Sequence, residues 1–191
     1  MAAGTEVRSI TAEPITPEAF APFGIVLSPD GHERQPIDLY AGTKDVYRAG
    51  AIESDRPMEW LVVRSRLRPF RVVYLERHLE LTQAFIPLGG SPLLVVVARA
   101  DAQEENGIPT LEELHAFVIP GDTGAQIHRG VWHEPPYSLL PSSVSLTTSH
   151  RSLTEGLSAE LDEHSEIKQA DVEKRNLLKR VGYEVEIRLP Q

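Results

Sequence analysis

Two stretches of the 191-residue chain gather side chains that move protons or bind metal ions, set among apolar runs. The first runs from Leu75 through Glu76, Arg77 and His78 to Gln83 and Pro87, and the second from Gly121 through His128, Arg129, Trp132 and His133 to Pro135. Glu76 and His78 are two residues apart, which on a strand turns both to one face. Gln83 follows after an expected turn and returns beside His78. His128 lies on a separate strand, led in by the turn Gly121–Gly124. The expectation is that Glu76, His78, Gln83 and His128 converge inside a small barrel. Imidazole nitrogens with carboxylate and amide oxygens suit a divalent ion such as zinc, manganese, iron or nickel. The same groups orient a small polar substrate without a metal, and spacing leaves both readings open.

The neighbours of these residues divide between chemistry and support. His133 is a second proton-transfer candidate, since imidazole titrates near neutral pH. Arg77 and Arg129 either grip a substrate carboxylate in bidentate fashion or pair with nearby acids. Trp132 reads as a pocket wall, and Glu80 and Glu134 as solvated rim residues. His32, His150 and His164 sit in polar contexts and read as structural or solvated. His115 begins an apolar run and reads as structural.

Short strands must hold this set. Phe23–Leu27, Asp45–Ile52, Trp60–Arg64, Arg71–Leu75, Thr82–Pro87, Leu93–Ala98, His115–Ile119, Gln126–His128, Tyr137–Leu140 and Val144–Thr148 are expected strands, cut by turns such as Pro87–Gly90 and Pro120–Asp122. Regular turn punctuation without helical periods between the strands predicts a mainly β fold, a sandwich or barrel. Thr16 and Pro17 mark a brief helix start.

The composition changes at Ser152. Glu155, Glu160, Asp162, Glu163 and Glu166 precede Lys174, Arg175, Lys179 and Arg180, an order that complements a helix dipole. Ala170, Leu177, Leu178 and Val181 share a helical face, and Gly182 is placed to end the helix. Tyr183 to Leu189 alternates as a final strand. The expected organisation is a barrel over residues 1–150 and a helical and strand extension over 151–191 that packs on the barrel or on a partner.

Composition narrows the function. The net charge of −9 argues against nucleic acid or anionic lipid as a partner. With no cysteine, disulfides, thiolate nucleophiles and iron–sulfur clusters are excluded. No apolar run approaches the 18 or so residues of a membrane span. The opening residues lack a secretory core, so the expected compartment is the cytoplasm.

At Glu76-Arg77-His78, Thr82 to Pro87, Leu93–Ala98, Leu114-x-Ala116-Phe117 and Gly124 to His133, the chain resembles the ureidoglycolate lyase family, formerly described as ureidoglycolate hydrolase. Thr16-x-Glu18-Ala19-Phe20-x-x-Phe23-Gly24 is similar to that family's opening segment, and the likeness spans about Pro14 to Leu146. It implies a cupin-like antiparallel β-barrel, a homodimer, and cleavage of ureidoglycolate, a purine-breakdown intermediate, to glyoxylate and urea. Such an elimination needs a base, an acid and a cation for the carboxylate. His78, Gln83, His128 and His133 are the expected catalytic residues. Arg48, Arg77, Arg129 and Trp132 are the expected substrate contacts, and Glu76, His78, Gln83 and His128 the ligands where a divalent metal is used. Leu79 stands where the family has proline. The segment from Trp60 to Glu76 is short and rich in arginine (Arg64, Arg66, Arg68, Arg71), and the charged tail replaces an acidic stretch. If that segment or the tail reaches the barrel mouth, the alternative is a related enzyme for another small hydroxy or keto acid. A small-acid-binding cupin without catalysis is the remaining alternative.

Overall fold

The computed structural model describes residues 5–37, 39–151 and 165–190. In chain order the elements are β1 (Glu6–Pro14), the one-turn helix α1 (Pro17–Phe20), β2 (Gly24–Leu27), β3 (Met58–Arg66), β4 (Arg71–Val72), β5 (Tyr74–His78), β6 (Gln83–Leu88), β7 (Leu93–Ala98), β8 (Glu104–Glu105), β9 (Ile108–Pro109), a 3-10 turn (Leu111–Glu113), β10 (His115–Ile119), β11 (Gly124–Ile127), β12 (Trp132–Ser138), β13 (Ser142–His150), β14 (Ile167–Lys168), β15 (Val172–Asn176), the short helix α2 (Leu177–Val181) and β16 (Tyr183–Arg188). The fold is mainly β, as the turn pattern predicts.

Among the described residues, nine strands form one sheet in the order β14-β15-β5-β12-β7-β10-β1-β16-β4, and five form a second in the order β2-β11-β6-β13-β3. Most pairs are antiparallel, but β1 lies parallel to both β10 and β16. That departs from an all-antiparallel barrel. It arises because the first strand is inserted between two strands that come later in the chain.

β7 shows how the sequence builds two cores. Its six residues are all apolar and all fully buried. Leu93, Val95 and Val97 face the smaller sheet and pack with Phe20, Phe23, Phe85, Phe117, Ala125 and Ile127. Leu94, Val96 and Ala98 face the other way, against Leu75, Trp132, Tyr137, Leu177, Val185 and Ile187. An uninterrupted apolar run therefore marks a strand covered on both faces, where alternation would mark one covered on one. The larger sheet curls to cover its own outer face: β4, its far edge, runs through Val73 into β5 near the opposite edge.

Thr16 caps α1 by accepting the Ala19 amide at 3.1 Å, with Pro17 in the first turn, as its sequence predicts. Asp45–Ile52 is not a strand; the backbone there makes one isolated bridge, Tyr47 to Arg34. The tail also differs from the helical reading. Ile167–Lys168 and Val172–Asn176 are strands, and the helix is confined to Leu177–Val181. Gly182 does end it, in the left-handed region at φ 77°, with its amide on the Leu178 carbonyl. Glu155, Glu160, Asp162, Glu163 and His164 lie outside the described residues. β15 joins the edge of β5, and β16 joins β1 over six registered pairs.

Candidate active site

The space between the two sheets is filled at one end and open at the other. The aromatic cluster around Phe20, Phe23 and Phe117 fills the first end. At the other lies a cavity of about 330 Å³. Its walls come from β3 (Leu61, Val63, Ser65), β5 (Tyr74, Glu76, His78), β6 (Gln83, Phe85), β12 (Pro135, Pro136), β13 (Ser145, Thr147, Ser149) and the tail strands (Ile167, Val172, Lys174). A register shift between Glu134 and Tyr137 gives β12 a local irregularity where its two prolines enter the wall.

Register sets the polar groups in a row. Lys174 of β15 stands opposite Glu76 of β5, and Glu76 stands opposite His133 of β12. Directly paired residues share a sheet face, so all three point inward, and His78, two residues from Glu76, points with them. His133 is fully buried behind the lining, its Nε2 3.4 Å from Glu76 Oε1. His78 Nε2 is 3.9 Å from the same oxygen, and the two imidazole rings are 5.5 Å apart.

The hydrogen bonds fix what these groups can do. His133 Nδ1 donates to the Val131 carbonyl at 3.1 Å, because a carbonyl can only accept. In the neutral ring Nε2 therefore carries a lone pair, aimed at a carboxylate that also only accepts. Two facing acceptors form a site that takes up a proton or a cation. Burial alone would raise the Glu76 pKa, but the adjoining His133 and nearby positive charge, that of Lys174 included, outweigh it and hold the carboxyl below its ordinary range. His78 is shifted down as well, from the value of a free imidazole. Burial pushes it down to about 4, against the pull of Glu76, so it is neutral at neutral pH.

Buried orphan atoms mark where a ligand would be received. His78 Nδ1, His133 Nε2 and Gln83 Oε1 have no hydrogen-bond partner, and such groups are costly unless something else satisfies them. The Gln83 amide nitrogen is held by the Thr148 carbonyl at 3.2 Å, which leaves its oxygen facing the cavity. Glu76, His78 and His133 each bring a ligand atom within 4.8 Å of the others. This nitrogen and oxygen set, with one ring nitrogen braced on a backbone carbonyl, fits a divalent transition ion. A bound ion there would polarise substrate oxygens.

Several sequence-named residues lie elsewhere. His128 is exposed and is not among the cavity-lining residues. Ala125 and Ile127 of β11 enter the inter-sheet core, so the alternation of the strand turns His128 outward with Gln126. Trp132, adjacent to His133, faces the other core, where its indole nitrogen donates to Glu104 at 3.2 Å; it is no pocket wall. Arg77 stacks over that indole and pairs with Glu173 and Glu104. Arg129 grips Asp55 with two nitrogens, and Arg48 is exposed on the loop before β3. These three arginines are therefore not in the cavity wall. Arg68 also points away from the cavity and reaches the fully buried Glu134 at 2.9 Å, which corrects the reading of Glu134 as a solvated rim residue.

His150, read as solvated or structural, is a buried clasp. Its Nδ1 lies 2.8 Å from Asp171 and its Nε2 2.8 Å from the Ser54 hydroxyl. Asp171 also accepts the Glu80 amide through its side chain and the Leu79 amide through its carbonyl. The tail is thereby pinned to the turn that follows His78. The residues missed from sequence are Lys174, Tyr74 and the hydroxyls of β13. Val172–Asn176 carries no apolar alternation that announces a strand.

A family model described as "Ureidoglycolate lyase" matches residues 7–173. The ureidoglycolate lyase of Pseudomonas syringae pv. tomato is 37% identical over 134 residues, covering 68% of this chain and 75% of that one. That of Pseudomonas fluorescens SBW25 is 38% identical over 135 residues, covering 68% and 77%. The solved structure of RmlC from Streptococcus suis in complex with dTDP-D-xylose overlaps in part, with a TM-score of 0.32 at 15% identity over 48% of this chain and 42% of that one. The match over residues 7–173 takes in the cavity-lining strands from β3 to β14 and the first two residues of β15, and the named relatives repeat one description: the chain belongs to the ureidoglycolate lyase family.

Proposed function

We propose that this chain cleaves ureidoglycolate to glyoxylate and urea, as a lyase of purine and allantoin breakdown. The observation that carries the reading is the Glu76–His133 couple at the base of a cavity sized for a small molecule, in a chain of this family. The substrate carbon bears a hydroxyl, a carboxylate and a ureido nitrogen. Glu76 takes the hydroxyl proton, and His133 behind it shares that proton. As the carbonyl forms, the carbon–nitrogen bond breaks and its electron pair leaves on the urea nitrogen. The couple returns the proton to that nitrogen, so oxygen loses one proton, nitrogen gains one, and the enzyme is unchanged. His78, neutral, and Gln83 Oε1 hold the ureido N–H groups. Proton transfer of this kind contributes about 10²–10⁴ in rate.

The two facing sheets are read as the cupin-like barrel, with residues 151–191 completing the unit of 1–150. The assembly is read as a homodimer. β3 is an edge strand of nine residues whose exposed Trp60 and Val62 lie outward beside Leu67. A long apolar edge of this kind needs a cover, and a second copy across a twofold axis supplies one. Among the described residues no helix is long and apolar enough to cross a membrane, and the cytoplasm is the proposed compartment.

The test is incubation of the purified full chain with ureidoglycolate. Stoichiometric glyoxylate and urea are expected, without ammonia. Ammonia release in place of urea would mean hydrolysis of the ureido group and would overturn the lyase reading.

A further inference from the structure

Ser54, His150 and Asp171 come from three separate segments: the loop before β3, the end of β13 and the residue before β15. They meet in one hydrogen-bonded chain. Ser54 Oγ lies 2.8 Å from His150 Nε2, and His150 Nδ1 lies 2.8 Å from Asp171 Oδ2. The other Asp171 oxygen accepts the Glu80 amide at 3.0 Å, which fixes the carboxylate. A clasp for the tail needs the His150–Asp171 contact; it does not need a hydroxyl on the opposite ring nitrogen. None of the three lines the cavity, since Ser149 faces it and the next residue of β13 turns away. His150 is fully buried and Asp171 nearly so, whereas Ser54 is partly exposed and is the member that a reagent can reach.

We propose that these residues form a second, nucleophilic centre, in which Ser54 takes acyl groups from small activated esters and passes them to water. A carboxylate only accepts, so Nδ1 carries a proton, and in the neutral ring Nε2 holds the lone pair that receives the Ser54 hydroxyl. The hydroxyl also reaches the Arg56 carbonyl at 2.6 Å, and rotation about one bond moves its proton from that acceptor to the imidazole. On attack, Ser54 Oγ bonds to the ester carbon and its proton passes to His150 Nε2. The ester carbon–oxygen bond then breaks, its electron pair leaves on the alcohol oxygen, and His150 returns the proton there. Water repeats the step: it bonds to the acyl carbon, gives a proton to His150, and Ser54 departs with that proton restored. Asp171 holds the ring in the required tautomer and faces the imidazolium while it carries charge. The Arg56 amide stands 3.3 Å from the Ser54 oxygen, and its guanidinium is anchored on Glu80 at 2.7 Å. Both are donors placed for the negative charge that develops on the ester oxygen. Hydroxyl, imidazole and carboxylate are recognised here by geometry, not by chain order.

The experiment treats the full chain with an alkyl fluorophosphonate, which bonds to a serine oxygen with loss of fluoride, and locates the adduct by peptide mapping. The native protein is expected to be modified at Ser54, and the urea-unfolded protein is not. Asp171→Asn keeps the shape of the contact and should slow the modification by about 10² or more. p-Nitrophenyl acetate should release p-nitrophenolate and leave an acetyl group on Ser54, and S54A should abolish that release above the level of buffer. A native parent without an adduct on Ser54 overturns the proposal, as does a folded D171N variant modified as fast as the parent. If D171N does not fold, the parent decides. Ser54 should then react about 10² faster than Ser142, which is exposed and has no imidazole beside it. Equal rates at the two serines overturn the proposal and leave His150 and Asp171 as a clasp alone.

Discussion

His133 Nε2 stands 3.4 Å from Glu76 Oε1 while the other nitrogen of the same ring is spent on the Val131 carbonyl. The relationship follows from register, since β5 and β12 place the two residues directly opposite each other. Glu76→Gln keeps the size and removes the charge. The expected result is a loss of about 10²–10⁴ in kcat, with an unchanged circular-dichroism spectrum. Activity within tenfold of the parent would remove Glu76 from the chemistry.

His128→Ala and Arg129→Ala should each leave kcat/KM within threefold. His128 is exposed, and Arg129 makes a partly exposed pair with Asp55, worth less than about 1 kcal/mol. Steady-state kinetics and melting temperatures check both.

His78 gives a pH signature in stability. The folded pKa lies near 4 and the ordinary value at 6.5, so the unfolded chain binds the extra proton first as pH falls. Stability is therefore lost between pH 6.5 and 4, by an amount on the order of 3 kcal/mol from this residue. Urea midpoints of the parent and H78Q across that range should differ in slope, the variant being flatter. Parallel slopes would show that His78 titrates normally.

Glu134 behaves in the opposite sense. Burial raises its pKa to about 7, although Arg68, Tyr137 and the Val73 amide oppose the shift. Its contribution is present in acid and lost as pH rises through 7. Arg68→Ala removes the counter-charge, and Glu134 must then stay protonated. The expected cost is about 3 kcal/mol at pH 8 and clearly less at pH 6, read by chemical denaturation at both. Equal costs at the two pH values would assign the effect to lost stacking on Tyr137 alone.

The dimer reading is checked by solution mass. Val62→Glu places a charge on the outward face of the β3 edge and should convert a dimer into a monomer with little change in monomer folding. A parent that is monomeric at micromolar concentration excludes the assembly.

The strands were legible where side chains report their surroundings. Leu93–Ala98 and His115–Ile119 match to the residue because apolar, β-branched runs end at turns. The shared face of Glu76 and His78 was legible from strand parity. Pairing register was not, since it depends on residues far apart in sequence; His133 was named without its partner. His128 was misplaced because its strand begins at Gly124, which sends Ile127 inward and His128 out. The tail was misread because its strand buries Lys174, Arg175 and Asn176. A polar run covered by other polar groups looks like a solvated helix when only composition is visible.

The placement of β1 between β10 and β16 orders events in time. β1 cannot gain its second neighbour until β16, far later in the chain, has been made, and the cavity wall lacks Lys174 until β15 is laid down. Pairings of such long sequence separation form slowly, and a chain with this topology exposes unpaired strand edges while it waits. Removing β16 would leave β1 with one neighbour and an open edge, the kind of edge that recruits other chains.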